Sequence, residues 1–381
     1  MRSLFILAVL ATTGASAQAV GTPAASSPAT PAAATMTPPR ELPTIGVVPI
    51  YLSGRRSLAM VRVGDHPPAP VVFDTGTTGN SLDTDFSEHL QLTYDPSVNV
   101  EVGDGTGKSF IAKEANIPVA SLGGVPISEK TAAVYPYKER DVVGIYGPGS
   151  FAGRHVLLDL GNGRVIVQDK RALGANVPEG TPYARRLPAI NVELPGGATV
   201  SALLDTGSDS VLLLPEEMAR KLPLRGPLRI AGQLKTVTGQ RPFYEGDLDG
   251  EVRIGKVVLK NPTIKFSGKN ANVGLPIIRQ LLIMLDPEKQ TSWVVDPPVL
   301  SASDLAMFSG RYGIRTIRFK SGRLLSQRDD SRPYVLHPMG GDLFRLEGSA
   351  DVVQFWREGG RVVRMDHISG PGALTQAAKT D

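Results

Sequence analysis

Apolar and polar positions alternate at period two in short stretches along most of the chain, broken by glycine and proline rather than by helix caps. That pattern predicts strands joined by tight turns, and therefore an all-β protein. The clearest hairpin is EVRIGKVVL, residues 251–259, with Val252 and Ile254 on one face and a glycine in its turn. Helix signals are few. DTDFSEHLQL offers Asp83 as an N-cap, and Pro215, Glu216 and Glu217 suit a first turn, with Met218 and Leu222 as the apolar stripe. Two apolar runs depart from alternation. VVF leads into DTGTTG at Asp74, and ALL leads into DTGSDS at Asp205.

These two runs anchor an internal repeat. Asp74, Gly147 (in GIYG) and Asp159 (in HVLLD) recur as Asp205, Gly274 (in NVG) and Asp286 (in LIMLD), at offsets of 131, 127 and 127 residues. Two strand-rich halves are expected at residues 41–172 and 184–298, joined by the stretch around NVPEGTP. From residue 301 the repeat stops, and alternating stretches broken by SG and GG predict a small β module over 301–372. Within it, Phe355 and Trp356 are expected in the core.

At the N-terminus a different grammar holds. Met1-Arg2, an apolar run and Ala15-Ser16-Ala17 read as an export signal over 1–17, cut near Ala17 or Ala19. Residues 18–40 are Ala, Pro, Ser and Thr with little to bury, a tether. A periplasmic or secreted protein follows, with no stable membrane insertion after cleavage. The chain lacks cysteine, which removes disulfides, thiolate metal sites and a lipid-anchored leader. Its net charge of +4, without a long basic block, gives no basis for a nucleic-acid partner. His66, His89, His155, His337 and His367 have no metal-ligand spacing, so neither metal nor cofactor is expected.

An apolar strand running into an acid is a poor surface turn but a good way to hold a carboxylate at the end of a buried strand. Two such carboxylates about 3 Å apart cannot both ionise cheaply and share a proton. One can then take a proton from water while the other donates to a carbonyl oxygen.

FDTGTTG and LDTGSDS, with the later IYG and NVG loops, resemble the motifs of aspartic proteases, in a spacing similar to the bacterial retropepsin-like branch with two halves fused as in pepsin. The resemblance covers about residues 42–298. It implies a bilobal acid-protease fold of two pseudosymmetric β-barrel lobes, and an endopeptidase with Asp74 and Asp205 as its catalytic pair. Thr75 and Thr206 would bond across the interface. Gly76 and Gly207 would let backbone amides approach the carboxylates. Thr77 and Ser208 would donate hydroxyl hydrogens to the carboxylates, which favours their charged form and an acidic pH optimum. Asn272 stands where that family has an apolar residue.

The resemblance further implies a glycine-bearing flap, placed at residues 100–111 with Gly105 and Thr106 against substrate. The matching stretch of the second half offers Phe243 and Tyr244 as cleft-lining residues. The partner expected is a polypeptide substrate, acted on by a monomer, with pairing of halves between two chains as a variant. The rival from another class is a peptide-binding scaffold that keeps the cleft and cleaves little.

Overall fold

The computed structural model describes residues 44–53, 55–104, 108–137, 139, 141–170, 180–297, 299–340, 342–369 and 374–380, with the backbone of 2–5, 10–13 and 35–36. It is almost entirely β. One large sheet runs, edge to edge, through Tyr94–Gly103, Ser109–Asn116, Thr131–Tyr135, Ser81–Asp83, Gly144–Tyr146, Ala69–Phe73, Arg56–Val63, Ala120–Leu122 and Val125–Pro126. A second runs through Arg229–Thr236, Gly239–Asp247, Thr263–Phe266, Leu212–Leu214, Asn272–Gly274, Thr199–Asp205, Ala189–Glu193, Glu251–Ile254 and Val257–Lys260. The two orders match strand for strand, so the repeat in the sequence is a repeat of topology. Short strands Arg2–Phe5 and Leu10–Thr13 lie at the corresponding outer edges.

A third sheet ties the halves together. It takes Thr44–Pro49, Arg154–Asp159 and Arg164–Asp169 from before the linker, Thr181–Pro182 from its end, and Leu282–Asp286 and Thr291–Val295 from after it. Its central seam pairs Val156, Leu157 and Leu158 with Leu285, Met284 and Ile283. Asp159 and Asp286, the repeated acids, close hairpins here. Asp159 accepts from Asn162 and from Arg164, and Asp286 accepts the backbone amides of Glu288 and Lys289. The core beneath all three sheets is largely aliphatic and continuous, from Val48 and Phe73 to Leu204 and Leu285.

Local signals fold largely as written. Asp83 caps the helix Thr84–His89, accepting from the amides of Asp85 and Phe86. The second helix signal yields only a 3₁₀ turn, Glu216–Arg220, preceded rather than opened by Pro215. Hairpin 251–259 forms with Val252 and Ile254 both buried and Gly255 at φ +56° in its turn.

The C-terminal module is an eight-stranded antiparallel meander from Gly310–Tyr312 to Leu374–Ala378, so it runs past residue 372. A bridge between Tyr312 and Lys379 brings its ends together and closes it into a barrel around Phe308, Phe344 and Phe355. Trp356 departs from expectation. Neighbouring strand residues point to opposite faces, so with Phe355 inside, Trp356 is outside at 47% exposure. There it donates to Asp366 and stacks under Arg364. The module sits against the three-sheet body. Arg279 Nη2 donates to Ser369 O, and Gly161 lies so close to Leu343 that a Cβ would fall 2.3 Å from its Cδ2.

The two aromatic neighbours give a direct check of this register. Phe355→Ala should destabilise the module by about 3–5 kcal/mol in denaturant unfolding. Trp356→Ala should cost about 1 kcal/mol, because it gives up one hydrogen bond and one cation–π contact at the surface.

Candidate functional site

Both Asp-Thr-Gly loops leave the ends of buried strands, Ala69–Phe73 and Thr199–Asp205, and each of these strands is held by a parallel neighbour. Ile145 and Tyr146 pair with Val72 and Phe73, while Asn272, Val273 and Gly274 pair with Leu203, Leu204 and Asp205. The glycines that end those neighbours permit the contact. A Cβ on Gly147 would meet Thr77 Cγ2 at 2.7 Å, and one on Gly274 would meet Ser210 O at 2.1 Å.

The loops are locked to each other by a reciprocal pattern. Thr75 Oγ1 donates to Leu204 O and Thr206 Oγ1 donates to Phe73 O, each at 2.7 Å. In return the Thr75 amide donates to Thr206 Oγ1 and the Thr206 amide to Thr75 Oγ1, each at 3.0 Å. All four groups are buried. Ser57 reinforces the junction, donating to Phe73 O at 2.6 Å and lying 3.4 Å from Thr206 O. At the rim Arg55 reaches across to Asp209, which also pairs with Lys265. Asn80, in the longer first loop, accepts from Ser150 and ties that loop to the turn after Gly147.

This lock sets Asp74 and Asp205 together, both fully buried. The Gly76 amide donates to Asp74 Oδ1 at 2.7 Å, and the Gly207 amide donates toward both carboxylates. Gly207 lies so near that a Cβ there would sit 2.9 Å from Asp74 Oδ2. Asn272 Nδ2 donates to Asp205 Oδ2 at 3.3 Å, and the Ser208 amide, which closes the turn on Asp205 O at 3.2 Å, also favours the charged carboxylate. One oxygen of each acid, Asp74 Oδ2 and Asp205 Oδ1, has no partner among the described residues. Burial pushes Asp74 up to about 6 and Asp205 well above the ordinary carboxylate range, with the charge of Asp74 adding to burial at Asp205; the donated amides oppose this. Among the described residues no group of His, Asp or Glu is placed to hold a metal ion.

Thr77 and Ser208 do not donate to the carboxylates as expected. Thr77 Oγ1 donates to Gly79 O at 2.7 Å, and Ser208 Oγ accepts the Ser210 amide at 3.2 Å. The extra Thr78-Gly79 stretch offers Thr77 a nearer carbonyl, so the hydroxyl route to an acidic shift is absent.

A cavity of about 480 Å³ opens beside the pair, reaching Val72 and Gly207. Its walls are apolar, from Phe110, Tyr135, Val142, Ile145 and Val237, and its rim carries Arg56, Glu139 and Lys235. Gly105 and Thr106 lie outside the described residues. Beside them, on the same hairpin, Asp104 accepts from Thr238 at the turn of the opposite hairpin. Phe243 and Tyr244 do not line the cavity. Phe243 packs with Leu213 and Leu234 beneath Lys265, and Tyr244 packs on the main core. The hairpin that carries them presents Lys235, Thr236, Val237 and Gln240 instead. Sequence reasoning named the flap but not Phe110, and it registered Asn272 only as a departure. Ser57 and Arg55 carried no signal, since each reaches the other half only through a residue about 150 positions away.

The sequence model of a family described as aspartyl protease matches residues 190–273, the segment from the strand before Asp205 to Val273. This match supports an aspartic protease family and a general protease activity. No curated protein matches the chain.

Thr206→Val removes one donor and one acceptor without changing shape, leaving the Thr75 amide unpaired in the interior and Phe73 O with only the Ser57 hydroxyl of its two side-chain donors. It should cost about 2–5 kcal/mol in urea unfolding, whereas Thr77→Val should cost about 1 kcal/mol.

Proposed function

We propose that the chain is an exported aspartic endopeptidase of the bilobal kind, in which Asp74 and Asp205 activate one water for attack on a peptide carbonyl. The observation that carries this reading is the reciprocal threonine lock, beside which lie two buried carboxylates, each with one oxygen unclaimed among the described residues. The ionised member takes a proton from water as its oxygen attacks the carbonyl carbon, and the protonated member donates to the carbonyl oxygen. Collapse of the tetrahedral adduct breaks the C–N bond, with a proton passing to the departing nitrogen. The pair returns to its singly protonated form. Both titrations belong to the pair, so neither role is fixed to one residue.

The apolar cavity beside Gly207 suits a bulky apolar side chain next to the scissile bond, held under Phe110 and Val237. One chain supplies both acids, so a monomer suffices. Export rests on the leader at 1–17, and the Ala/Pro tether would follow in the mature chain.

The sign of the pH dependence follows from burial rather than from the hydroxyls. Both carboxylates hold protons to higher pH than free aspartate, so the singly protonated form gains population as pH rises through about 6. The working range therefore lies nearer neutrality than the hydroxyl argument expects. Hydrolysis of an unfolded protein substrate should show kcat/KM rising with pH on an acid limb near 6. Asp74→Asn and Asp205→Asn should each lower kcat by at least about a thousandfold. A mimic of the tetrahedral adduct with a central hydroxyl should block the wild type. Tight binding of peptides with no cleavage at any pH would favour the scaffold reading.

The same shift couples to stability. A carboxyl group whose folded pKa is raised stabilises the fold below its unfolded pKa, and that contribution is lost as pH rises through the folded value. For Asp74, moved from 3.8 to about 6, the loss between pH 4 and 7.5 is on the order of 3 kcal/mol. Asp74→Asn should therefore raise Tm at pH 7.5 and change it little at pH 4, as read by calorimetry.

A further inference from the structure

The two halves are not equivalent at the position that flanks each aspartate. Ile145 stands opposite Val72 and Asn272 stands opposite Leu203, each pairing with the residue two ahead of its acid. Ile145 is a wall of the apolar cavity and gives Asp74 no hydrogen bond. Asn272 is 2% exposed, and the one hydrogen bond of its side chain runs from Nδ2 to Asp205 Oδ2 at 3.3 Å; its Oδ1 has no partner among the described residues. Burying an amide with half its capacity unmet, where the other half of the molecule buries an aliphatic side chain, costs stability. Packing does not account for it, and the side-chain hydrogen bond it makes among the described residues is to a carboxylate.

We propose that Asn272 is a positioning residue for Asp205, which fixes the carboxylate and stabilises its anion, so that the pair releases its protons at lower pH than it would with aliphatic residues on both flanks. This rests on the function proposed above. Other groups facing the pair are few. Asp74 opposes Asp205 directly, Tyr135, three strands away in the sheet, lies within electrostatic reach of Asp74, and Asp209, farther along the second loop, is neutralised by Arg55 and Lys265. None of them donates a hydrogen bond to Asp205; its remaining donors are the backbone amides of Gly207 and Ser208, which no side-chain change removes.

The test compares wild type, Asn272→Ile, which gives the second half the residue of the first, and Ile145→Asn, which offers Asp74 a donor it lacks. Two readouts are taken on each: the pH profile of kcat/KM, and the titration of ¹³C-carboxyl-labelled aspartates by NMR. Asn272→Ile should move the profile and the buried carboxyl titration upward by about half to one pH unit. Ile145→Asn should move both downward by a similar amount. A profile and titration left in place by Asn272→Ile, with only Tm or maximal rate changed, would reduce Asn272 to packing and overturn the proposal. A downward movement would also overturn it, since the amide would then be accepting from the protonated acid. Should Asn272→Ile not fold, an unmoved titration in Ile145→Asn decides against the proposal. Should no variant or wild type cleave peptides, the proposed function fails, while the NMR titration still decides the role of Asn272.

Discussion

Two carboxyl groups are buried at the junction of the halves, and each would rather be in water. What keeps them there is the exchange of hydrogen bonds between Thr75 and Thr206, in which each hydroxyl serves as donor to the opposite strand and acceptor for the opposite loop. Neither threonine could satisfy both roles within its own half. The junction therefore exists only when both loops are present and correctly spaced, and the sheet formed by strands from both sides of the linker sets that spacing. Ser57 adds a third hydroxyl to the same seam, from the strand next to Ala69–Phe73.

The raised proton affinity of the pair is a direct consequence. Burial penalises the second negative charge more than the amides of Gly76, Gly207 and Ser208 relieve it, so one proton is retained over a wide range. The same feature that suits the pair to acid–base work on a carbonyl makes it a source of instability at neutral pH. Packing elsewhere offsets that cost, through the aliphatic core that runs without interruption from one half to the other.

Pseudosymmetry in the backbone does not extend to the chemistry around it. The two sheets share one strand order, yet the first loop is longer and is tied to Ser150 through Asn80, and the second is tied to Arg55 and Lys265 through Asp209. The cavity lies on the side of Ile145, where the wall is apolar; at the matching position of the other half stands the buried amide of Asn272. Substrate side chains would thus meet an asymmetric surface around a nearly symmetric pair.

Much of this was legible in order of residues alone. Period-two alternation, the doubled Asp-Thr-Gly after apolar runs and the matched later glycines are local features, and local features fix strands, turns and the fact of a repeat. Asp83 as a cap and the 251–259 hairpin belong to the same class, because their partners lie within a few residues. Of the contacts across the junction, the bond between Thr75 and Thr206 followed from the family resemblance, while those of Ser57 and Arg55 were not legible, nor were the contact of Asn272 with Asp205 and the final direction of several side chains. The Thr77 hydroxyl chose the carbonyl of Gly79, Phe243 turned into the core while its hairpin presented Val237 to the cavity, and Trp356 faced outward once Phe355 faced in. Each of these was decided by which atom stood nearest after the sheets had assembled. Alternation says that a strand has two faces; only the packed structure says which face meets the core, and which distant hydroxyl, amide or carboxylate completes a hydrogen bond there.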